Sequence, residues 1–158
     1  MAGQGSTTNA YAASLRKEGW RVVYTCIPNT PHVGVVAIPI GASCKQHYPD
    51  ILAFKGEVTK IVEVEVQLTA GVAHKIRERF KEIGKAFQEL NGWNNFRHHV
   101  IETTGIQLPE LFVPVYELLI CTNGRNSNEA LVNQLSSENV RVVSGTNLVD
   151  PQKHTRSP

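Results

Sequence analysis

Apolar residues recur along the chain at two different periods, and the changes of period mark the elements. Val72, Ile76, Phe80, Ile83, Phe87 and Leu90 stand three or four residues apart, the repeat of one helix face, and Asn91-Gly92 supplies a stop. The opposite side carries His74, Lys75, Arg77, Lys81 and Lys85 among Glu78, Glu82 and Glu89. Nearer the start, Thr7 or Thr8 can cap a helix that runs to about Lys17, gathers Tyr11, Ala12 and Leu15 on one side and ends at Gly19. Trp20 to Ile27 then reads as a strand. Prolines at 28, 31 and 39 break up the next segment, although VGVVAIPI is apolar enough for a short strand of its own.

Between these helical stretches the period falls to two. Tyr48 to Phe54 and Val58 to Leu68 are predicted strands, and the short glycine-bearing link Lys55-Gly56-Glu57 makes them a hairpin. After the long helix, Trp93, Phe96 and His98-His99 fall in a predicted loop. LFVPVYELLICT reads as a buried strand interrupted early by Pro114, a helix runs from about Asn128 to Glu138, and VRVV at 140 to 143 makes a last short strand. This order predicts an α/β protein with a mixed sheet flanked by helices.

Composition narrows the class without naming an activity. The chain has 158 residues, 41% hydrophobic and 19% charged, which suits one globular domain over residues 7 to 149 with disordered ends at 1 to 6 and about 150 to 158. No stretch approaches a membrane span, and the polar start lacks the basic and apolar regions of a secretory signal. A cytoplasmic protein, on the nucleoid when bound to DNA, is therefore expected. Cys26, Cys44 and Cys121 form no CxxC pair and read as free thiols. A net charge of +2 permits a nucleic-acid partner without requiring one.

The chemistry concentrates in the hairpin. Side chains alternate along Val58 to Leu68, so Val62, Val64, Val66 and Leu68 share one face while Ile61, Glu63, Glu65 and Gln67 share the other. If Lys55 pairs with Val58, Asp50 falls opposite Glu63, with Cβ atoms about 4.5 to 5.5 Å apart. Carboxylates that close repel, and a divalent cation such as Mg²⁺ removes the conflict while offering to polarise a phosphodiester. Spacing alone leaves a solvated Glu-Val alternation as an equal alternative, because a slip of the turn would put Asp50 opposite Val62 and on the wrong face.

Pro49-Asp50 opening one strand, Glu63-Val64-Glu65 on the next, and a helix from about Ala70 together resemble the PD-(D/E)xK nuclease superfamily, whose fold is restriction-endonuclease-like. The resemblance extends over the order of elements from residue 7 to about 143. It implies a Mg²⁺-dependent endonuclease hydrolysing DNA, with one or two ions, of homing, restriction or junction-cleaving type, acting on double-stranded DNA as a homodimer or higher homo-oligomer. It also implies Asp50, Glu63 and Glu65 as metal ligands, with Gln67 assisting. The superfamily's lysine is absent: Glu65 or Gln67 stands in its place, and Lys75 on the following helix can supply a displaced positive charge. The first predicted helix lacks the glutamate that many relatives carry, and Glu18 at its end is not assigned that role.

Lys75, Arg77, Lys81 and Lys85 are candidate nucleic-acid contacts, with Arg16, Lys17 and Arg21 as a weaker group and TNGRNSN at 122 to 128 as a loop able to meet a phosphate. His98-His99 reads as loop surface. A catalytically inactive nuclease-like domain that binds nucleic acid or a protein partner is the competing expectation, with the missing lysine as its cause.

Overall fold

In a computed structural model, residues 3–121 and 129–145 are described. Helix α1 (Gln4–Lys17) leads into strand β1 (Arg21–Thr25). Two short strands, β2 (Ile38–Ile40) and β3 (Lys45–His47), come before the hairpin of β4 (Ile51–Lys55) and β5 (Val58–Glu65). Helices α2 (Ala70–Gln88) and α3 (Gly92–Thr104) come next, then β6 (Pro114–Ile120), α4 (Glu129–Ser137) and β7 (Val140–Ser144).

The main sheet has five strands in the order β1-β4-β5-β6-β7. β1, β4 and β5 form an antiparallel meander, whereas β6 and β7 run parallel to β5. The change of sense arises from the connections, since a tight turn can only reverse a strand and the crossover through α2 and α3 returns one parallel. β5 is therefore the seam of a mixed sheet, which is the α/β architecture that the alternating periods predict. β2 and β3 make a separate two-stranded antiparallel ribbon.

Each sheet face has its own apolar layer. α1 lays Tyr11, Ala12 and Leu15 on Ile51, Ala53, Val62, Val64 and Leu119. α2 lays Ile76, Phe80 and Ile83 over Leu52, Ile61 and Leu118, and the ribbon residues Ile38 and Ile40 extend that layer. The ends of the helices obey their local chemistry. Thr69 caps α2 by accepting from the Val72 N–H at 3.1 Å. At the end of α1, Gly19 takes φ +93°, and Trp20 N–H donates back to the Leu15 carbonyl at 3.0 Å, closing a glycine-terminated helix end.

Several expectations change. α1 begins at Gln4 rather than Thr7 or Thr8, so residues 4 to 6, expected in a disordered end, form its first turn. Residues 48 to 50 of the strand predicted from Tyr48 lie outside any strand, and β4 starts only at Ile51. β5 stops at Glu65, three residues short of Leu68. Leu90 is 92% exposed, because α2 ends before it. The predicted loop at 93 to 99 is helix α3, with Trp93, Phe96 and Val100 buried and His98 and His99 exposed. Trp93 and Phe96 complete an aromatic cluster with Phe87 and Phe112, at ring separations near 4.9 Å. TNGRNSN and residues 150 to 158 lie outside the described residues. Among the described residues, no helix is long and apolar enough to cross a membrane.

One polar group is buried beneath α1. Lys60 Nζ lies 3.1 Å from Glu117 Oε2, with both side chains almost fully enclosed. The pair is not aligned as a hydrogen bond, so attraction between the charges holds it. Tyr11 donates its hydroxyl to Glu117 Oε1, Arg141 approaches Glu117 from the open side at 3.5 Å, and the Trp20 ring covers Lys60 at 4.1 Å. Burial and the Glu117 charge push the Tyr11 hydroxyl well above its ordinary range.

Candidate acidic site at the hairpin

The β4–β5 ladder pairs Lys55 with Val58 and Ile51 with Val62, so Asp50, one residue ahead of β4, stands opposite Glu63. The register that brings the two carboxylates together is therefore the one that forms. Its hydrogen bonds continue past the ladder: Val64 N–H donates to Asp50 Oδ2 at 2.7 Å, and Asp50 N–H reaches Glu63 Oε2 in a long bond of 3.4 Å. On the other side, Cys26 N–H donates to the Asp50 carbonyl at 2.8 Å, which ties β1 to the same point. The side chain of Gln4 donates to the Val64 carbonyl at 3.1 Å, bringing the first turn of α1 to the rim.

Glu63 points to the α2 side of the sheet and is 2% exposed. Two basic side chains meet its Oε1. Arg79 Nη1 lies 3.3 Å away, and His47 Nε2 lies 2.8 Å away, off hydrogen-bond alignment. Glu65, nearer the surface, is paired with Lys75 from the first turns of α2. Lys75 and Arg79 are four residues apart on one flank of the helix, which is why both reach the end of β5.

Asp50 receives less compensation. Burial is the largest influence on its carboxyl and the charge of Glu63 the next; against the Val64 N–H and Arg79, these push its pKa up to about 8. The Asp50 carboxyl therefore keeps its proton to a higher pH than an exposed aspartate does. The Cys26 thiol is also pushed up, first by burial and then by Asp50 and Glu63.

Asp50, Glu63, Glu65 and Lys75 are thus brought together, and Gln67 is not. It lies two residues past the end of β5, exposed, and makes no hydrogen bond among the described residues. Arg77, Lys81 and Lys85 lie on the opposite flank of α2, since Lys81 is about 200° round the helix from Arg79. There Arg77 pairs with Glu138 at 3.2 Å. His47 and Arg79 are the members that sequence reasoning missed. Arg79 has a signal in its four-residue spacing from Lys75. His47 has none, because only the β2–β3 ribbon brings it to Glu63.

Asp50 and Glu63 offer adjacent oxygens that suit a hard divalent cation. A third protein ligand would require Glu65 to leave Lys75. As the side chains stand, no group of three His, Cys, Asp or Glu is disposed to hold a metal ion among the described residues.

No family matches the chain, and neither curated proteins nor solved structures give a match.

Proposed function

We propose that this protein is a Mg²⁺-dependent endonuclease of restriction-endonuclease-like fold that hydrolyses DNA phosphodiester bonds. The reading rests on one observation above all: the hairpin register sets Asp50 against Glu63, on a buried strand end where a cation would relieve their repulsion. The element order agrees with it, with a helix, an antiparallel meander carrying the carboxylates, a helix bearing cations, and a parallel strand.

A Mg²⁺ ion held by Asp50 and Glu63 would supply Lewis-acid polarisation of a phosphodiester. The remaining work falls to the chain. Glu65 is the carboxylate placed to accept a proton from an attacking water, and Lys75 beside it offers positive charge to the developing phosphorane. Arg79 and His47 fix the orientation of Glu63. Glu65 thus takes the place of the superfamily's lysine, in preference to Gln67. A symmetric homo-oligomer acting on double-stranded DNA in the cytoplasm or nucleoid belongs to the same proposal, because one such site cuts one strand.

A second reading is favoured by the cations already present. Arg79 partners Glu63 and Lys75 partners Glu65 as they stand, which suits a silent nuclease-like domain that binds without cutting. The test incubates the purified protein with supercoiled and linear DNA, with Mg²⁺ or EDTA, beside an Asp50→Ala variant. Cleavage that needs both Mg²⁺ and Asp50 is expected. Cleavage that survives EDTA or the substitution sinks the mechanism, and binding without cleavage selects the silent domain.

A further inference from the structure

Helix α2 sorts its charges by flank. Lys75 and Arg79 turn to the acidic site, Glu78, Glu82 and Glu89 lie along the outer side, and Arg77, Lys81 and Lys85 line a groove against Tyr116 and Glu138. The groove encloses about 390 Å³, and a second cleft of about 520 Å³ shares Tyr116 and Val140 with it. An acidic ridge therefore separates it from Asp50, so it is not an extension of the hairpin site.

Its polar groups are unevenly used. Arg77 is paired with Glu138, whereas Lys81 and Lys85 have no anionic partner among the described residues. The Tyr116 ring packs on Phe80 at 4.8 Å, but its hydroxyl makes no hydrogen bond among the described residues. Gly84 sits in the middle of α2 at the point where a Cβ would come within 3.2 Å of that hydroxyl. Glycine is a poor helix former, and here its missing side chain leaves room around the Tyr116 oxygen. Two unpaired ammonium groups and a free hydroxyl facing one groove are donors without an acceptor, and oxyanions are the ligands that satisfy them.

We propose that the groove between α2 and the turn from α4 to β7 is an anion site, which binds the backbone phosphates of a nucleic-acid strand through Lys81, Lys85 and the Tyr116 hydroxyl. The choice of a strand over a single small anion comes from Lys81 and Lys85, about one helical turn apart along the groove, and from the second cleft beside it. The ligand class rests on the nuclease reading; the site itself does not.

The test titrates a fluorescent single-stranded oligonucleotide, and separately pyrophosphate and a polyglutamate peptide, into the full-length protein without Mg²⁺. The wild type should bind the oligonucleotide. Lys81→Gln combined with Lys85→Gln should weaken binding roughly tenfold and lower the slope of log affinity against log salt by about 1.4. Gly84→Ala, which crowds the hydroxyl, should weaken it severalfold, and Glu138→Gln, which removes a carboxylate from the wall, should strengthen it. Absence of oligonucleotide binding, an unchanged affinity in the double lysine variant, or preference for pyrophosphate or polyglutamate overturns the proposal. Oligonucleotide bound in the groove but never cut leaves it standing and defeats the nuclease reading instead.

Discussion

Asp50→Asn isolates the cost of a carboxylate held beside Glu63. The substitution keeps the shape and an oxygen for the Val64 N–H, and it removes only the titration. With its pKa up at about 8 rather than 3.8, the folded protein holds a proton on Asp50 over a range where the unfolded chain has lost it. Between about pH 4 and pH 8 the folded state binds more protons, so this group makes unfolding progressively easier as pH rises, and the loss is complete above pH 8. Four units at 1.36 kcal/mol each set a ceiling of about 5 kcal/mol. Relaxation and water entry reduce such ceilings, and Asp50→Asn should gain about 2 kcal/mol at pH 8.5, or roughly 4 to 8 °C in Tm for a chain of this size. At pH 4 the two proteins should be alike. Thermal and urea unfolding at both values measure this. Saturating Mg²⁺ at pH 8.5 should then stabilise the wild type and not the variant. Equal stabilities at pH 8.5, or a wild-type loss from pH 4 to 8.5 no larger than the variant's, would refute the account of Asp50.

Three further outcomes stem from burial and backbone geometry. Glu117→Ala leaves Lys60 enclosed without its partner and should cost about 3 to 5 kcal/mol in urea unfolding, whereas Lys60→Met with Glu117→Leu should recover most of it. Gly92→Ala places a Cβ 2.0 Å from the Ala86 carbonyl oxygen and should destabilise by about 1 to 3 kcal/mol or more, read as a fall in Tm. Leu90→Ser should change stability by less than about 0.5 kcal/mol, because the side chain lies in water despite its place in the apolar repeat.

How far the sequence could be read depended on whether local spacing decided the outcome. The hairpin was legible because Gly56, with φ +59°, sits in a turn too short to allow many registers, and one register puts Asp50 on the face of Glu63. α2 was legible from its apolar repeat, and Lys75 from its place on the first turns. α3 was not recognised, although Trp93, Phe96 and Val100 have helical spacing, because Asn91-Gly92 and the polar residues around them imitate a loop. In fact Asn91 takes φ +67°, reversing the chain so that one helix succeeds another almost directly. The ends of β5 and α2 were overrun, since alternation at Val66 and apolarity at Leu90 continue past the hydrogen bonds that define each element. His47 was beyond reach: the ribbon that carries it is three residues to a strand, too short to leave a period.

The seam at β5 also sets an order of events in folding. Its antiparallel partner β4 is joined by a tight turn, and hairpins of that kind close in microseconds. Its parallel partner β6 comes only after two intervening helices, with Thr59 meeting Pro114, and contacts so distant in sequence form late. The apolar layer that receives α2 includes Leu118 of β6, so Asp50 and Glu63 meet before the seat of the helix that carries Arg79 and Lys75 is complete. Above the ordinary carboxylate range, the first structure to form is the one whose charges oppose it, and the docking of α2 is what makes it last. Refolding should accordingly be faster at pH 5 than at pH 8, with the helix that closes over the acidic strand acting as its latch.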